Sequence, residues 1–133
     1  MNEPSIFTKI VTGEIPCQKV FEDELTFAFL DIMPATRGHV LVIPKRQVEF
    51  VWDLTDEEYS AVMTTSKKVA LRIREVLRPS YVGMLVVGTD VPHAHVHVLP
   101  FEKSREIKDA ISIDRGRASD EELSSLAESL RFS

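Results

Sequence analysis

Histidine at every second position, His93, His95 and His97, inside the run Val91-Pro92-His93-Ala94-His95-Val96-His97-Val98-Leu99-Pro100, constrains this chain more than any other feature. Alternation is the period of a β-strand, whose successive side chains point to opposite faces. Three imidazoles therefore share one row, and Ala94, Val96 and Val98 form an apolar face that needs a core to cover it. Neighbours in the row stand roughly 6.6 Å apart, two rises of about 3.3 Å. At that spacing one imidazole can attack while its neighbours orient and donate, which is chemistry suited to neutral pH. His-x-His in a strand is also a common chelating pair, so the strand taken alone leaves a transition-metal site open.

A chain of 133 residues fits one domain, read here as spanning 1–133, and buries enough surface to need no staple. Its single cysteine, Cys17, cannot form an intrachain disulfide, and its flanks show nothing that would depress the thiol pKa. The N-terminal Met1-Asn2-Glu3-Pro4 begins no signal sequence, and no apolar run reaches the ~20 residues of a membrane span. A soluble protein of a reducing, cytoplasmic compartment is expected. The net charge of -5 excludes a broad electrostatic grip on nucleic acid, so a phosphate-bearing ligand has to be caught locally.

Ser5 is placed to cap a short helix carrying Ile6, Phe7, Ile10 and Val11, with Gly13 at its left-handed end. Residues 19–22 and 26–30 read as a hairpin around Asp23-Glu24, and His39 to Ile43 as a β-branched strand. Thr55-Asp56-Glu57-Glu58 is a capping box opening a helix to Leu77, and Ser119-Asp120-Glu121-Glu122 reads as a second. Residues 81–87 read as a strand that pairs antiparallel with the histidine strand, which Pro92 and Pro100 bracket. The sum is α+β: an antiparallel sheet of about five strands, the histidine strand deep in the order, with a long helix and short N- and C-terminal helices. Capping and solvation account for Glu57-Glu58, for Lys45 and Arg46, and for the charged stretch from Asp109 to Arg117.

The pattern His-x-His-x-His followed by apolar residues resembles the signature of the histidine triad superfamily. The likeness to its Hint-like branch extends from Ser5 to Phe101. It runs through Ile6-Phe7-x-Lys9-Ile10, Gly13-Glu14-Ile15-Pro16, Phe29-Leu30-Asp31-Ile32 and Gly38-His39-Val40-Leu41-Val42-Ile43-Pro44-Lys45. The resemblance implies the HIT-like fold and a nucleotidyl hydrolase or transferase. Its middle histidine, here His95, attacks the α-phosphorus of a nucleoside 5′-monophosphate derivative, adenosine phosphoramidates above all. The nucleotidyl-histidine is then hydrolysed, and no cofactor is required.

By the same resemblance His97 contacts phosphate and supports the leaving group, while His93 and His39 form an interior hydrogen-bonded pair. Backbone N–H groups around Gly88, Thr89, Asp90 and Val91 are expected to cradle phosphate oxygens. Asp31 is implied on the ribose hydroxyls, with Ile6, Phe7, Ile10, Phe29 and Ile32 around a purine base. Taken without the resemblance, His39 and the apolar residues are core positions and Asp31 a turn residue. A homodimer joining sheet edges and long helices is also implied.

Three departures matter. Family members often carry Cys-x-x-Cys and a later histidine that bind structural zinc with a triad-region histidine. Here the positions are Ser5, Thr8 and Gln47, and no structural zinc is expected. Gly88-Thr89-Asp90 stands where Gly-Gln-Ser is usual, which suggests that Asp90 orients His97 or protonates the leaving group. The tail after about Lys103 falls outside the resemblance. Two other functions stay open on sequence: a dinucleoside polyphosphate hydrolase, and a catalytically weak nucleotide-binding sensor.

Overall fold

Ser5 starts the first helix, α1 (Ile6–Val11), by accepting the Thr8 N–H at 3.0 Å, and Gly13 follows its end at φ 86°. This computed structural model describes residues 3–111 and 115–133. Met1 and Asn2 of the N-terminal stretch, and residues 112–114 of the charged tail, lie outside the described residues.

The expected hairpin forms from β1 (Lys19–Glu22) and β2 (Thr26–Leu30). Asp23 closes it by accepting the N–H groups of Leu25 and Thr26 at 3.1 and 2.8 Å. With β3 (Val40–Pro44), β4 (Tyr81–Leu85) and β5 (Val96–Phe101) these strands make one antiparallel sheet in the order β1-β2-β3-β5-β4. The histidine strand thus lies inside the sheet, flanked by β3 and β4, as expected. Strand β4 is shorter than its apolar run and forms one edge.

Two boundaries differ from expectation. Regular pairing on the histidine strand begins at Val96, with His93 at a bend and His95 in the irregular segment before it, where the Ala94 N–H donates to the Val48 carbonyl at 2.7 Å. Pro100 lies inside β5 opposite Val82 rather than ending it. The β3 ladder on that strand covers only Val96 to Val98, so the missing N–H of Pro100 removes no bond to β3.

The long helix α2 (Asp56–Leu77) opens on the predicted capping box, with the Thr55 hydroxyl on the Glu58 N–H and the Glu58 carboxylate on the Thr55 N–H. Glu58 is buried and also takes both arms of Arg46 at 2.8 and 2.7 Å, so this pair is more than capping and solvation. Lys45 likewise pairs with Glu22 at 2.8 Å. Val62, Val69 and Ile73 of α2 pack on Ala28, Leu30, Val40, Val42, Val96 and Val98, together with Leu123, Leu126, Ala127 and Leu130 of α3 (Asp120–Leu130). Each valine, leucine or isoleucine among them contributes about 1.5–3 kcal/mol by leaving water. At the start of α3 the Ser119 hydroxyl accepts the Glu122 N–H at 3.1 Å. The opposite face of the sheet is smaller: Phe27, Phe29, Leu41 and Ile43 meet Phe7 of α1. The histidine row opens onto this second face. Among the described residues there are also two 3-10 helices, Val51–Asp53 and Ser104–Ile111, the second in the charged stretch that follows the histidine strand.

Candidate active site

The β3–β5 register builds the site. Leu41 stands opposite His97, so the two point to one face, and His39, two residues before Leu41, points there too. His39 is set directly ahead of β3 by Gly38, whose φ of 101° favours glycine. A Cβ there would lie 2.6 Å from Leu77 Cδ1 and 3.2 Å from Pro100 Cγ. All four histidines are buried.

His39 pairs with His97 and not with His93: Nε2 of His39 lies 2.9 Å from Nδ1 of His97. The register explains the correction. His93 comes beside Pro44, five residues further along the chain than His39, a distance of about 16 Å in extended backbone. There His93 Nε2 lies 2.7 Å from the Pro44 carbonyl and its Nδ1 lies 2.8 Å from Ser5 Oγ.

Fixed partners determine every tautomer. The Ala35 N–H can only donate, and it donates to His39 Nδ1 at 3.0 Å. A neutral His39 then carries its proton on Nε2 and donates to His97 Nδ1, which leaves the His97 proton on Nε2. Carbonyls can only accept. His93 therefore donates from Nε2 to Pro44 and accepts from Ser5 at Nδ1, and His95 donates from Nδ1 to the His93 carbonyl at 2.7 Å. In the neutral ring this leaves a lone pair on His95 Nε2.

Electrostatics hold the supporting rings neutral. Burial pushes His39 down to about 3, helped by the charges of His97 and Arg115. Burial also pushes His97 down to about 4, with His95 and Arg115 adding to it. His93 is lowered by burial despite its bond to the Pro44 carbonyl. The rings of His95 and His97 lie 5.2 Å apart, and Phe7 meets the His95 ring edge-on at 5.3 Å.

Asp31, Ile6, Phe7, Ile10, Phe29 and Ile32 do come together, lining a cavity of about 120 Å³ with Leu41 and Cys17. Burial pushes the Cys17 thiol up. Asp31 Oδ1 accepts the Met33 N–H at 2.8 Å, and its Oδ2 meets Arg115 Nη2 at 3.2 Å. Arg115 belongs to the tail that sequence reading assigned to solvation. Nothing local distinguishes it from neighbouring Arg117, because only the fold brings it to Asp31.

The loop before the row also departs from expectation. Val91 N–H donates to Thr89 O at 2.9 Å and His93 N–H to Val91 O at 2.8 Å, which takes the Val91 amide out of any phosphate cradle. The tight turn puts exposed Asp90 at φ 74°. Since His39 holds His97 Nδ1, the group that orients His97 through that atom is His39 and not Asp90.

Among the described residues, the group able to converge on a metal is Asp31, His39 and His97, with ligand atoms within 4.8 Å of one another, rather than the three-histidine row. The His39 proton already bridges to His97 and an arginine occupies Asp31, so the set works as a hydrogen-bonded chain. At the positions where the family resemblance would place zinc ligands, Ser5 and Thr8 hydroxyls lie 2.8 and 3.3 Å from His93 Nδ1, and Gln47 Oε1 accepts from Thr8 Oγ1 at 2.8 Å. Hydroxyl and amide oxygens do not fit a tetrahedral zinc site, which takes thiolates and imidazoles.

Comparisons with known proteins agree with this geometry. Residues 12–104 match the HIT domain family. The protein called Protein hit of Bacillus subtilis is 42% identical over 103 residues, 74% of this chain and 71% of that protein. Adenosine 5′-monophosphoramidase hnt1 of Schizosaccharomyces pombe is 38% identical over 100 residues, 71% of this chain and 72% of that protein. The crystal structure of a Hit-like protein involved in cell-cycle regulation from Bartonella henselae superposes with a TM-score of 0.84 at 27% identity, covering 98% of this chain and 97% of that one. Triad, sheet and sequence matches converge: this chain belongs to the histidine triad (HIT) family.

Proposed function

We propose that the protein is a nucleotide hydrolase or transferase that cleaves P–N or P–O bonds at the α-phosphate of nucleoside 5′-monophosphate derivatives, with adenosine phosphoramidates as the leading substrates. The observation that carries this reading is the tautomer of His95, whose Nδ1–H is tied to the His93 carbonyl and whose Nε2 presents a lone pair on the open face. That lone pair attacks the α-phosphorus and forms a P–N bond to His95. The bond to the leaving amine breaks, and its electron pair departs with the amine. His97 carries its proton on Nε2 and supplies it to that amine. Water then attacks the same phosphorus and gives a proton to His97 while the P–N bond to His95 breaks with its electron pair returning to Nε2, which releases the nucleoside monophosphate and divides one hard displacement into two.

The cavity bounded by Phe7, Phe29 and Asp31 supports a nucleoside beside His95. An apolar slot of this kind holds a purine by dispersion and reads its edge poorly, so adenosine and guanosine compounds both bind. The reaction needs no cofactor, and the hydrogen-bonded cluster of Ser5, Thr8, Gln47 and His93 supports a fold that needs no structural zinc.

A homodimer pairing β4 edges and α2 helices fits this reading. The β4 edge is open, and Leu71, Tyr81 and Met84 are 43%, 58% and 47% exposed there. Sedimentation at micromolar concentration tests it, a strict monomer being the contrary result. No described helix is long and apolar enough to cross a membrane, and a cytoplasmic nucleotide pool is the expected source of substrate.

The function is tested by single-turnover hydrolysis of adenosine 5′-phosphoramidate with chelator present. His95→Ala is expected to lose about 10⁴-fold or more, the scale at which covalent catalysts depend on their nucleophile. Equal, negligible rates in both proteins with AMP still bound would make this a sensor module instead.

A further inference from the structure

Arg115 lies beyond the residues that match the HIT domain, yet its guanidinium pairs with Asp31, which lines the nucleoside cavity. Its Nε donates to the Met33 carbonyl at 2.5 Å, and Nη1 donates to the carbonyls of Asp109 and Ala110 at 3.0 and 2.7 Å. Nη2 reaches Asp31 Oδ2 at 3.2 Å, with only 13% of the arginine side chain and 10% of the aspartate side chain exposed. An exposed ion pair loses most of its value to screening and to the entropy of holding two long side chains. Here three carbonyls from two separate segments already fix the arginine, so the aspartate meets a preorganised donor.

The acceptor count of Asp31 shows what this fixing is for. An ionised carboxylate offers about four lone-pair directions. The Met33 N–H takes one on Oδ1 and Arg115 takes one on Oδ2, which leaves one direction on each oxygen. A vicinal diol needs two acceptors side by side. We propose that Arg115 is a positioning residue for the nucleoside site: it sets the Asp31 carboxylate so that its two remaining acceptor directions meet a ribose 2′,3′-diol, and so makes the tail the source of selectivity for ribonucleotides over 2′-deoxyribonucleotides. The inference rests on the nucleotide reading above and goes beyond it by assigning sugar selectivity to a residue outside the triad.

Charge reinforces the geometry. Burial raises the Asp31 carboxyl above its ordinary value, while the Met33 N–H, Arg115 and His95 pull it down and Asp90 pushes it up. His39 Nε2 also faces Oδ2, at 3.8 Å. With Arg115 removed, Asp31 takes up a proton at higher pH and loses an acceptor direction.

The test is equilibrium binding of AMP and 2′-deoxy-AMP to the intact protein across pH, for wild type, Arg115→Met and Arg115→Lys. Wild type is expected to favour AMP by about tenfold, the scale of one charge-assisted hydrogen bond. Arg115→Met brings the ratio near one and moves the acid limb of AMP binding to higher pH, while Arg115→Lys restores the acid limb and part of the ratio. If Arg115→Met does not fold, Arg115→Gln takes its place, since its amide still donates to a backbone carbonyl but carries no charge to Asp31. A wild-type ratio retained in the uncharged variant would overturn the proposal and reduce Arg115 to a tether for the tail. A wild-type ratio of one would overturn it at Asp31. Failure of wild type to bind AMP at all would overturn the nucleotide reading itself, and this inference with it.

Discussion

His39 and His97, 58 positions apart in the chain, share one proton across 2.9 Å, and the Ala35 N–H on the far side of His39 fixes which ring owns it. The consequence is directional: His97 is left with its proton on Nε2. His39→Gln keeps a polar group but no longer forces that tautomer. We expect kcat on adenosine 5′-phosphoramidate to fall by about 10²-fold, the lower range for loss of an oriented proton donor, with AMP affinity within a few-fold of wild type. The loss should shrink for substrates whose leaving group needs no proton, such as an AMP p-nitrophenyl ester. An equal loss on both substrates would show that His39 serves packing alone.

The same chain of rings makes stability depend on pH. His39 and His97 have folded values of about 3 and about 4 against an ordinary 6.5, so between those limits the unfolded chain binds more protons than the folded one. Stability from these groups is fully present above about pH 6.5, falls as pH drops below it, and is lost through pH 4 to 3. Asp31, raised by burial, works in the opposite sense within the carboxylate range and softens only the acid end. Calorimetry should show Tm level from pH 8 to 7 and falling steadily from 6 to 4. Ring ¹⁵N shifts should keep both histidines neutral at pH 5, and protonation of either near 6.5 would contradict the assignment.

Gly38 is the position where backbone and site are coupled most tightly. Its φ of 101° is one that residues with a side chain rarely adopt, and a Cβ would press on Leu77 and Pro100. Gly38→Ala is expected to cost about 1–3 kcal/mol by strain at a left-handed position, read as a lower midpoint in urea. Because His39 follows directly, the variant should also lose activity at temperatures where it remains folded. A destabilised variant with wild-type kcat would separate the strain from the site.

How much of this was legible beforehand follows the range of each signal. The Thr55 capping box and the Ser5 cap are local, and each forms where its residues predict, whereas the period-two run from His93 to Leu99 pairs regularly only from Val96. The set Ile6, Phe7, Ile10, Phe29, Asp31 and Ile32 was assembled by resemblance to the family, and the fold brings it to one cavity. Pairings set by strand register were not legible. Whether His39 meets His93 or His97 depends on Leu41 standing opposite His97, which no single strand encodes. Arg115 was missed for a similar reason: its partners Met33 and Asp31 lie 82 and 84 positions away, and a charged tail offers no periodicity to announce them.

The cluster around His93 offers a final prediction, because it joins a helix cap to the triad. Ser5 Oγ accepts the Thr8 N–H and stands 2.8 Å from His93 Nδ1, so one hydroxyl serves both. Ser5→Ala removes the cap and leaves a buried ring nitrogen short of its donor, which together cost about 1–3 kcal/mol. The separations of Ser5, Thr8, Gln47 and His93 also bring four side-chain ends to one point. Ser5→Cys, Thr8→Cys and Gln47→His combined would present two thiolates and two imidazoles there, a set that suits tetrahedral zinc. The triple variant should bind one zinc per chain by elemental analysis, with a Tm that rises on loading and returns on chelation. His95 chemistry should survive, since its own anchor, the His93 carbonyl, belongs to the backbone and not to the ring being rewired. Failure to bind zinc would mean that position 5, which caps α1, and position 8 within it cannot retreat from their present hydrogen-bond separations to the longer ones that sulfur requires.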